Sequence, residues 1–452
     1  MSRLGRGAVF VGAIFVGTIL VGTLTSLAGA QTGQGATADW ELTTVIFGHN
    51  LGERLKVRID NGQLSGAVYR GENVTLHGTL RGSDVSFEFK ESDGTLDEYT
   101  GHFSGDAMSG DYSSTDPHGV KTTGRWSARR TQAPPPAALS YDFVPRDFQR
   151  EFSSAIAPVL HIFPGDTVHT TSVDAGGTDE HSVVRVLGGN PLTGPFYVQG
   201  AMPGDVLAIS IKRLRLNRDW AMSDKGFVGR ALTPDYRAKI KPDWSDTRWH
   251  LDIEKGMASL EKPSDTLKNL AVPVRPMLGC IGVAPGFGSA PIQAQDSGDF
   301  GGNMDFNLLG EGATLYLAVN QPGALLYVGD GHALQGDGEL NGNALETSMD
   351  ITFSVQVLRE KNIGTPRAEN AEFVMAIGFA GSLDSAFREA TSELASWLQS
   401  DYSLSDGDVA AVLGTSIQYN IAEVADRNVG VVAKIPKRTL ALLKPAKPTV
   451  MK

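Results

Sequence analysis

Short runs in which apolar and polar residues alternate dominate the first part of this chain and constrain it to antiparallel β structure. Leu55 and Val57 alternate with charged residues, which places the apolar side chains on one face of a strand. The pair Asn61-Gly62 follows this run and suits a hairpin turn that needs positive φ. Such evenly spaced strands predict a small antiparallel β-barrel or sandwich over residues 39–130, which we interpret as an accessory unit.

A proline-rich segment separates this unit from the rest of the chain. Residues 131–140 contain three consecutive prolines, which favour the stiff, extended geometry that is typical of a linker. Residues 141–452 remain rich in strand patterns, and helical spacing becomes convincing only after Ser382 and again after Ser405. The predicted fold class is therefore mainly β, a β-rich α+β chain whose second unit ends in helices.

The first thirty residues have the pattern of a signal peptide. Arg3 and Arg6 precede an apolar run that ends at Ala28-Gly-Ala30, a small-residue cleavage signal. We predict cleavage of residues 1–30 and export to the periplasm or the medium, with an uncleaved membrane anchor as the alternative. After cleavage we expect no membrane partner.

Composition narrows the range of functions further. A net charge of −11 and a pI near 5.3 argue against a nucleic-acid partner, because such binding depends on clustered Lys and Arg. The single cysteine, Cys280, cannot form an intramolecular disulfide, and its apolar neighbours predict a buried, unreactive thiol. The chain has no G-x-S-x-G, H-E-x-x-H or P-loop pattern, so serine hydrolase, zincin and P-loop functions lack support.

One glycine-rich segment concentrates side chains suited to chemistry. In residues 329–339, Asp330, His332, Asp337 and Glu339 lie among glycines, which allow positive φ and the close approach of a ligand. Carboxylates with an imidazole are the ligands expected for zinc or a similar divalent ion. This composition exceeds what a turn needs, and it predicts a functional site.

Two further segments are candidates to join this cluster. Asp305 ends a second glycine-rich acidic loop, residues 299–305, and Asp174 ends a predicted strand. Asp and Gly are also ordinary turn residues, so a purely structural role stays open for both. The spacing of an EF-hand is absent.

Four segments, in this order along the chain, resemble signatures of the acetamidase/formamidase family: residues 190–205, 279–285, 301–305 and 329–339. The resemblance covers roughly residues 140–437 and leaves the first unit outside it. It implies a β-sandwich fold for the second unit, a metal-assisted site, and hydrolysis of small carboxamides such as formamide or acetamide to ammonia and the acid.

On this basis we hypothesise a divalent ion, zinc or alternatively calcium, held by some of Asp174, Asp305, Asp330 and His332. The ion would polarise the amide carbonyl and activate a water molecule.

A neighbouring carboxylate, Glu339 or Glu346, would take the proton of this water and return it to the departing amine. Asn303 or loop backbone N–H groups would steady the oxyanion, and Asp337 completes the candidate catalytic set. The alternatives are a non-catalytic exported protein that binds a small ligand or the envelope, and a hydrolase of larger amides. A homo-oligomer stays open.

Overall fold

The computed structural model describes residues 37–241, 243 and 245–444. The predicted signal peptide lies outside the described residues. Among the helices of the described part, none combines the length and the apolar character that a membrane crossing requires.

Within residues 37–130, eight antiparallel strands close into a barrel. In chain order they are β1 (Thr37–Ile46), β2 (His49–Asp60), β3 (Gln63–Tyr69), β4 (Asn73–Arg81), β5 (Asp84–Lys90), β6 (Leu96–Ser104), β7 (Ala107–Thr115) and β8 (Lys121–Arg130). The first strand pairs with both β2 and β8, which closes the sheet. Asn61 and Gly62 adopt the positive φ values of 50° and 76° at the β2–β3 turn. Of the two predicted architectures, the structure has the barrel.

Aromatic side chains fill the interior of the barrel. The rings of Phe87 and Tyr99 stack with centroids 4.6 Å apart. Trp126 meets these two rings edge-on at 5.2 and 5.6 Å. An eight-stranded barrel is just wide enough for side chains to occupy its interior, so the alternation in the sequence serves core packing here.

The second unit begins after residues 131–139, a fully described segment that contains neither helix nor strand. Its strands are β9 (Ser140–Asp142), β10 (Glu151–Phe152), β11 (Leu160–Ile162), β12 (Thr167–Ser172), β13 (Leu192–Val198), β14 (Val206–Leu216), β15 (Trp220–Asp224), β16 (Asp246–Asp252), β17 (Met257–Leu260), β18 (Ala271–Pro273), β19 (Met277–Val283), β20 (Ile292–Gln293), β21 (Ser297–Gly298), β22 (Gly301–Asn303), β23 (Thr314–Ala318), β24 (Leu326–His332), β25 (Glu346–Thr347), β26 (Met349–Leu358), β27 (Arg367–Glu369), β28 (Phe373–Ala380), β29 (Gln418–Ile421) and β30 (Val429–Pro436). The helices are α1 (Pro234–Arg237), α2 (Leu383–Tyr402), α3 (Asp406–Ser416) and α4 (Lys437–Leu440), with a 3₁₀ turn at Gly229–Ala231.

Two mixed sheets organise this unit. One runs β18-β17-β16-β15-β25-β24-β19-β22-β21, with β13 beside β24 and β11 beside β13. The other runs β29-β30-β28-β27-β23-β14-β26-β12-β9. Buried apolar side chains of both sheets form one core, in which Phe196 of the first contacts Phe353 of the second at 5.3 Å between ring centroids. The β-rich fold with C-terminal helices is confirmed.

The late helical spacing predicted from the sequence is also confirmed. The Ser382 hydroxyl accepts from the Ser385 N–H at the start of α2, and Ser405 forms a capping box with Asp408 at the start of α3. Buried side chains such as Leu394 pack α2 against β28 and β30.

A buried ion pair docks the barrel on the second unit. Arg54 of β2 donates to both carboxylate oxygens of Asp205, at 2.9 and 2.6 Å, and neither side chain is more than 2% exposed. The Tyr197 hydroxyl donates to Glu41 at 2.9 Å beside this pair. A guanidinium that meets a carboxylate in this bidentate way fixes orientation as well as distance, so the two units are held in one arrangement.

Replacing Arg54 with alanine should lower the free energy of unfolding by about 3–5 kcal/mol, because it leaves the Asp205 carboxylate buried without its partner. Urea unfolding followed by tryptophan fluorescence measures this loss. Lys56→Ala is the matched control, since Lys56 lies on the same strand and pairs with Glu360 where both side chains are partly exposed; its cost should stay below about 1 kcal/mol. Equal costs for the two variants would contradict a docking role for the ion pair.

Candidate active site

The candidate site forms where β24 and β19 pair deep in the first sheet. Met277 pairs with His332 and Cys280 with Gly329, so Gly279 lies level with Asp330. Every residue of both strands is buried. A side chain at the end of β24 therefore points into a region from which water is largely excluded.

Four of the predicted site residues converge around the imidazole of a fifth, His332. His332 Nε2 lies 3.3 Å from Asp330 Oδ2, 3.3 Å from Glu346 Oε2 and 3.7 Å from Asp305 Oδ1. The sets Asp305, His332, Glu339 and Asp330, His332, Glu346 each bring three possible metal-ligand atoms within 4.8 Å of one another. Their arrangement is a compact centre with four carboxylates and one histidine.

Three of these acids have an unusual backbone. Asp305, Asp330 and Glu339 adopt φ values of 41°, 57° and 47°, in the left-handed region that non-glycine residues rarely occupy. Such strain persists where surrounding structure imposes it, and it is concentrated at functional sites.

Gln335 sets the orientation of the histidine. Its amide N–H group donates to the backbone carbonyls of Asp305 and Ala422. The Gln335 carbonyl oxygen is therefore left to accept from His332 Nδ1 at 2.9 Å. This places the proton on Nδ1 and turns Nε2 towards the carboxylates, in the form that binds a metal.

Burial and mutual repulsion disturb the titration of the whole group. Burial raises the pKa of both Asp305 and Glu339 well above the usual range of carboxyl groups. Burial likewise raises the pKa of Glu346 to about 7. Burial alone would lower the pKa of His332, but the carboxylates of Glu346 and Asp330 raise it well above its ordinary value. Without a cation, these acids therefore keep their protons to a higher pH than usual, and a bound divalent ion would replace those protons.

The centre has the features that a bound cation would satisfy. Asp305 Oδ1, Asp330 Oδ1 and Glu346 Oε2 are buried and form no hydrogen bond within the described part of the chain, although such oxygens are normally satisfied. A Cβ placed on Gly279 would lie 2.4 Å from Asp305 Oδ1 and 2.5 Å from Asp330 Oδ2, so glycine keeps this space open. Carboxylates with one imidazole suit zinc or a related divalent ion.

The Gly279→Ala variant should lose this centre, because the added methyl group must displace two of the acidic oxygens. We expect the thermal stabilisation produced by a divalent cation to disappear, and any hydrolytic activity to fall by about a hundredfold or more, the cost typical of a misplaced reacting group. Gly336→Ala is the control, since a Cβ there meets nothing within 4 Å. Thermal shifts with and without ZnCl₂ test this, and an unchanged shift in Gly279→Ala would contradict the placement.

Chelator-treated protein should lose stability as the pH rises from 5 to 8. Burial raises the pKa of Glu346 to about 7 and that of Asp426 to about 6, and the pKa of His332 is also raised. The folded state therefore binds more protons than the unfolded state in this range, and the free energy of unfolding falls with pH. The melting temperature should decrease across the range, and excess ZnCl₂ should reverse the decrease at pH 7.5. A melting temperature that rises with pH would contradict this assignment.

Asp174 takes a different position from the one predicted. Its carboxylate accepts from Arg218 Nη2 at 2.6 Å and from the Thr178 backbone N–H at 2.8 Å, and it belongs to neither three-residue group. The charge of Asp174 is therefore already compensated within the protein.

Asn303 and Asp337 lie in different surroundings, and their predicted roles stay predictions. The Asn303 amide donates to Asp305 at 2.7 Å and to Asp426, and its oxygen accepts from Asn190 at 2.9 Å and from Cys280 at 2.7 Å. With these contacts, Asn303 positions carboxylates. Asp337 is exposed and accepts from Asn307 and Asn420 outside the centre.

Sequence reasoning assigned no specific role to several residues that shape the site. Gly279 lies in one of the quoted family segments, but its role depends on the pairing of β19 with β24. Gln335 lies in the glycine-rich segment, three residues after His332, and the sequence does not show which group it contacts. Arg218 and Asp426 have no local signal, because they approach the centre from distant parts of the chain. Cys280 is buried as predicted, and burial raises its pKa well above the usual value.

A cavity of about 400 Å³ leads to this centre. Glu346 forms part of its wall, together with Asp174, Asn190 and Trp220. Asn190 donates to Asp330 at 3.1 Å, so the wall and the cluster are directly connected. A larger cavity of about 770 Å³ lies beside α2 and contains none of the clustered residues.

Comparisons with known proteins confirm the family resemblance. A model of the acetamidase/formamidase family matches residues 292–437. The structure of a protein from Thermoanaerobacter tengcongensis, described as a predicted acetamidase/formamidase, is 27% identical, with 68% of this chain and 99% of that chain covered and a TM-score of 0.58. The Yersinia enterocolitica acetamidase is 27% identical, with coverage of 67% and 93% and a TM-score of 0.59.

A formamidase-type protein of Schizosaccharomyces pombe is 24% identical in an alignment of 221 positions that covers 37% of this chain. The chain spans about half the length of that curated relative, 52%.

Proposed function

We propose that this chain, related through its second unit to the acetamidase/formamidase family, hydrolyses the C–N bond of a carboxamide to ammonia and a carboxylic acid. The observation that carries this proposal is the convergence of Asp305, Asp330 and Glu346 on His332. Of these residues, Glu346 lines the cavity. An acid, an imidazole and unsatisfied buried oxygens beside a substrate-sized space are what hydrolysis of an unreactive amide requires.

Asp305, Asp330 and His332 are the proposed metal ligands, because all three surround the space left open at Gly279. When bound there, a divalent ion polarises the amide carbonyl and lowers the pKa of a water molecule. The imidazole donor favours zinc over calcium, which prefers oxygen ligands alone.

Glu346 is the proposed proton carrier. Of the two glutamates considered from the sequence, Glu346 lines the cavity, whereas Glu339 lies deeper and accepts from the Ala344 backbone N–H at 2.9 Å. Glu346 Oε2 takes a proton from the water that attacks the carbonyl carbon. It then returns this proton to the amide nitrogen, so the C–N bond breaks and ammonia departs. A carboxyl group with a pKa near 7 suits both transfers at neutral pH.

We also propose that the enzyme acts outside the cytoplasm, on the basis of the signal-peptide pattern in residues 1–30. N-terminal sequencing of the protein recovered from its producing cells tests this, with Gln31 as the expected first residue.

His332→Ala should lower the release of ammonia from formamide and acetamide by at least about a hundredfold and should reduce the bound metal, because it removes the central ligand. The full chain is assayed for ammonia and for metal content after purification. His102→Ala is the matched control, since His102 is an exposed histidine of the barrel, and it should behave like the wild type. Near-normal turnover of His332→Ala without dependence on metal would refute the mechanism.

A further inference from the structure

The cavity beside Glu346 is large for the simplest amides. Its volume of about 400 Å³ lies in the range of about 300–1,000 Å³ that is usual for small-molecule sites. Formamide or acetamide would fill only a small part of it. The wall away from Glu346 therefore contacts a further part of any substrate that fills the cavity.

The residues of that wall are set by strand register. Trp220, Met222 and Asp224 alternate with buried residues along β15, so their side chains share one face. Met222 is paired with Glu346 of β25 on one side. Asp224 is two residues further along, so its Cα lies about 7 Å from that pairing position.

A second carboxylate faces Asp224. Asp246 of β16 is its direct cross-strand partner, and both residues line the cavity. Like charges in this position repel each other and destabilise a sheet. Asn343 donates to Asp224 Oδ2 at 2.7 Å and holds the carboxylate in place, but it supplies no positive charge.

No basic side chain lines this cavity in the described part of the chain, although it has four acidic ones: Asp174, Asp224, Asp246 and Glu346. Two arginines come near but are engaged elsewhere. Arg218 pairs with Asp174. Arg248 stacks on Trp220 and pairs with Glu261 at 2.7 Å. Asp224 and Asp246 therefore lack a salt-bridge partner among the described residues.

Glu346 gives a second indication that a ligand enters this space. Its side chain is 8% exposed and lines the cavity. Its buried Oε2 atom forms no hydrogen bond among the described residues, although His332 Nε2 lies 3.3 Å away. A buried carboxylate oxygen without a hydrogen bond can accept one from a bound ligand.

We propose that the substrate is an amide that carries a cationic group, such as an ammonium, on a short chain. This inference rests on the proposed amidase function. The amide lies at Glu346, and the ammonium lies between Asp224 and Asp246, about 7 Å further along the cavity. Three extended methylene groups place the ammonium nitrogen about 5 Å from the amide carbonyl carbon, and a hydrogen bond of about 2.8 Å to a carboxylate covers the remaining distance.

The test compares 4-aminobutanamide with pentanamide, in which a methyl group replaces the ammonium. For the wild type we expect kcat/KM for the cationic amide to exceed that for the neutral one by about tenfold or more, the value of one charge-assisted contact. Asp224→Asn and Asp246→Asn should each reduce this ratio. Asp219→Asn is the matched control, because Asp219 is an exposed acid of the neighbouring segment that does not line the cavity; its ratio should match the wild type.

A wild-type ratio near one, or a ratio that Asp224→Asn and Asp246→Asn leave unchanged, would overturn the proposal while the amidase function stands. If no amide is hydrolysed, the proposed function fails, and calorimetric binding of the two amides to the full chain tests the cavity by itself. Tighter binding of 4-aminobutanamide that weakens in Asp224→Asn would support the cationic site. Equal binding of the two compounds would refute it.

Discussion

The burial of four acidic side chains around one imidazole at the end of β24 is the constraint on which the second unit depends. Four carboxylates surround one imidazole in a region that water hardly reaches, and ionised groups are costly to bury unless a positive charge meets them. Strained backbone at Asp305, Asp330 and Glu339, together with the missing side chain at Gly279, brings these oxygens to one point. The surrounding two-sheet core makes the arrangement rigid and prevents the acids from turning away to solvent.

The acidic residues of the cavity differ in whether a basic side chain of the protein pairs with them. At Asp174 the chain supplies its own counter-ion, Arg218, and thereby removes that carboxylate from the chemistry. Among the described residues, no basic side chain forms a salt bridge with Asp224 or Asp246. The acids of the cavity thus fall into two groups: Asp174, which pairs with an arginine, and Asp224 and Asp246, which remain available to a cationic ligand.

The sequence predicted those parts of the fold and site that depend on local pattern. The alternation of apolar and polar residues predicted the strands of the first unit. The same alternation fits both a barrel and a sandwich, and the pairing of β1 with β8 shows that the sheet is a closed barrel. Asp330 and His332 were recognisable because acids and a histidine are concentrated among glycines in one short segment. The structure places both residues on one face of β24. The ion pair of Asp174 with Arg218 could not be predicted, because Arg218 lies 44 residues further along the chain and no local pattern indicates the contact. The role of Gly279 could not be predicted either, because it depends on the register between β19 and β24.

The bidentate contact between Arg54 and Asp205 fixes the orientation of the barrel relative to the second unit. A flexible linker alone would let the first unit swivel, so that a molecule held by it would sample many positions relative to the cavity. A docked barrel instead carries its outer face at a set distance and angle from the cavity mouth. Any molecule bound on that face would therefore meet the cavity in one fixed orientation.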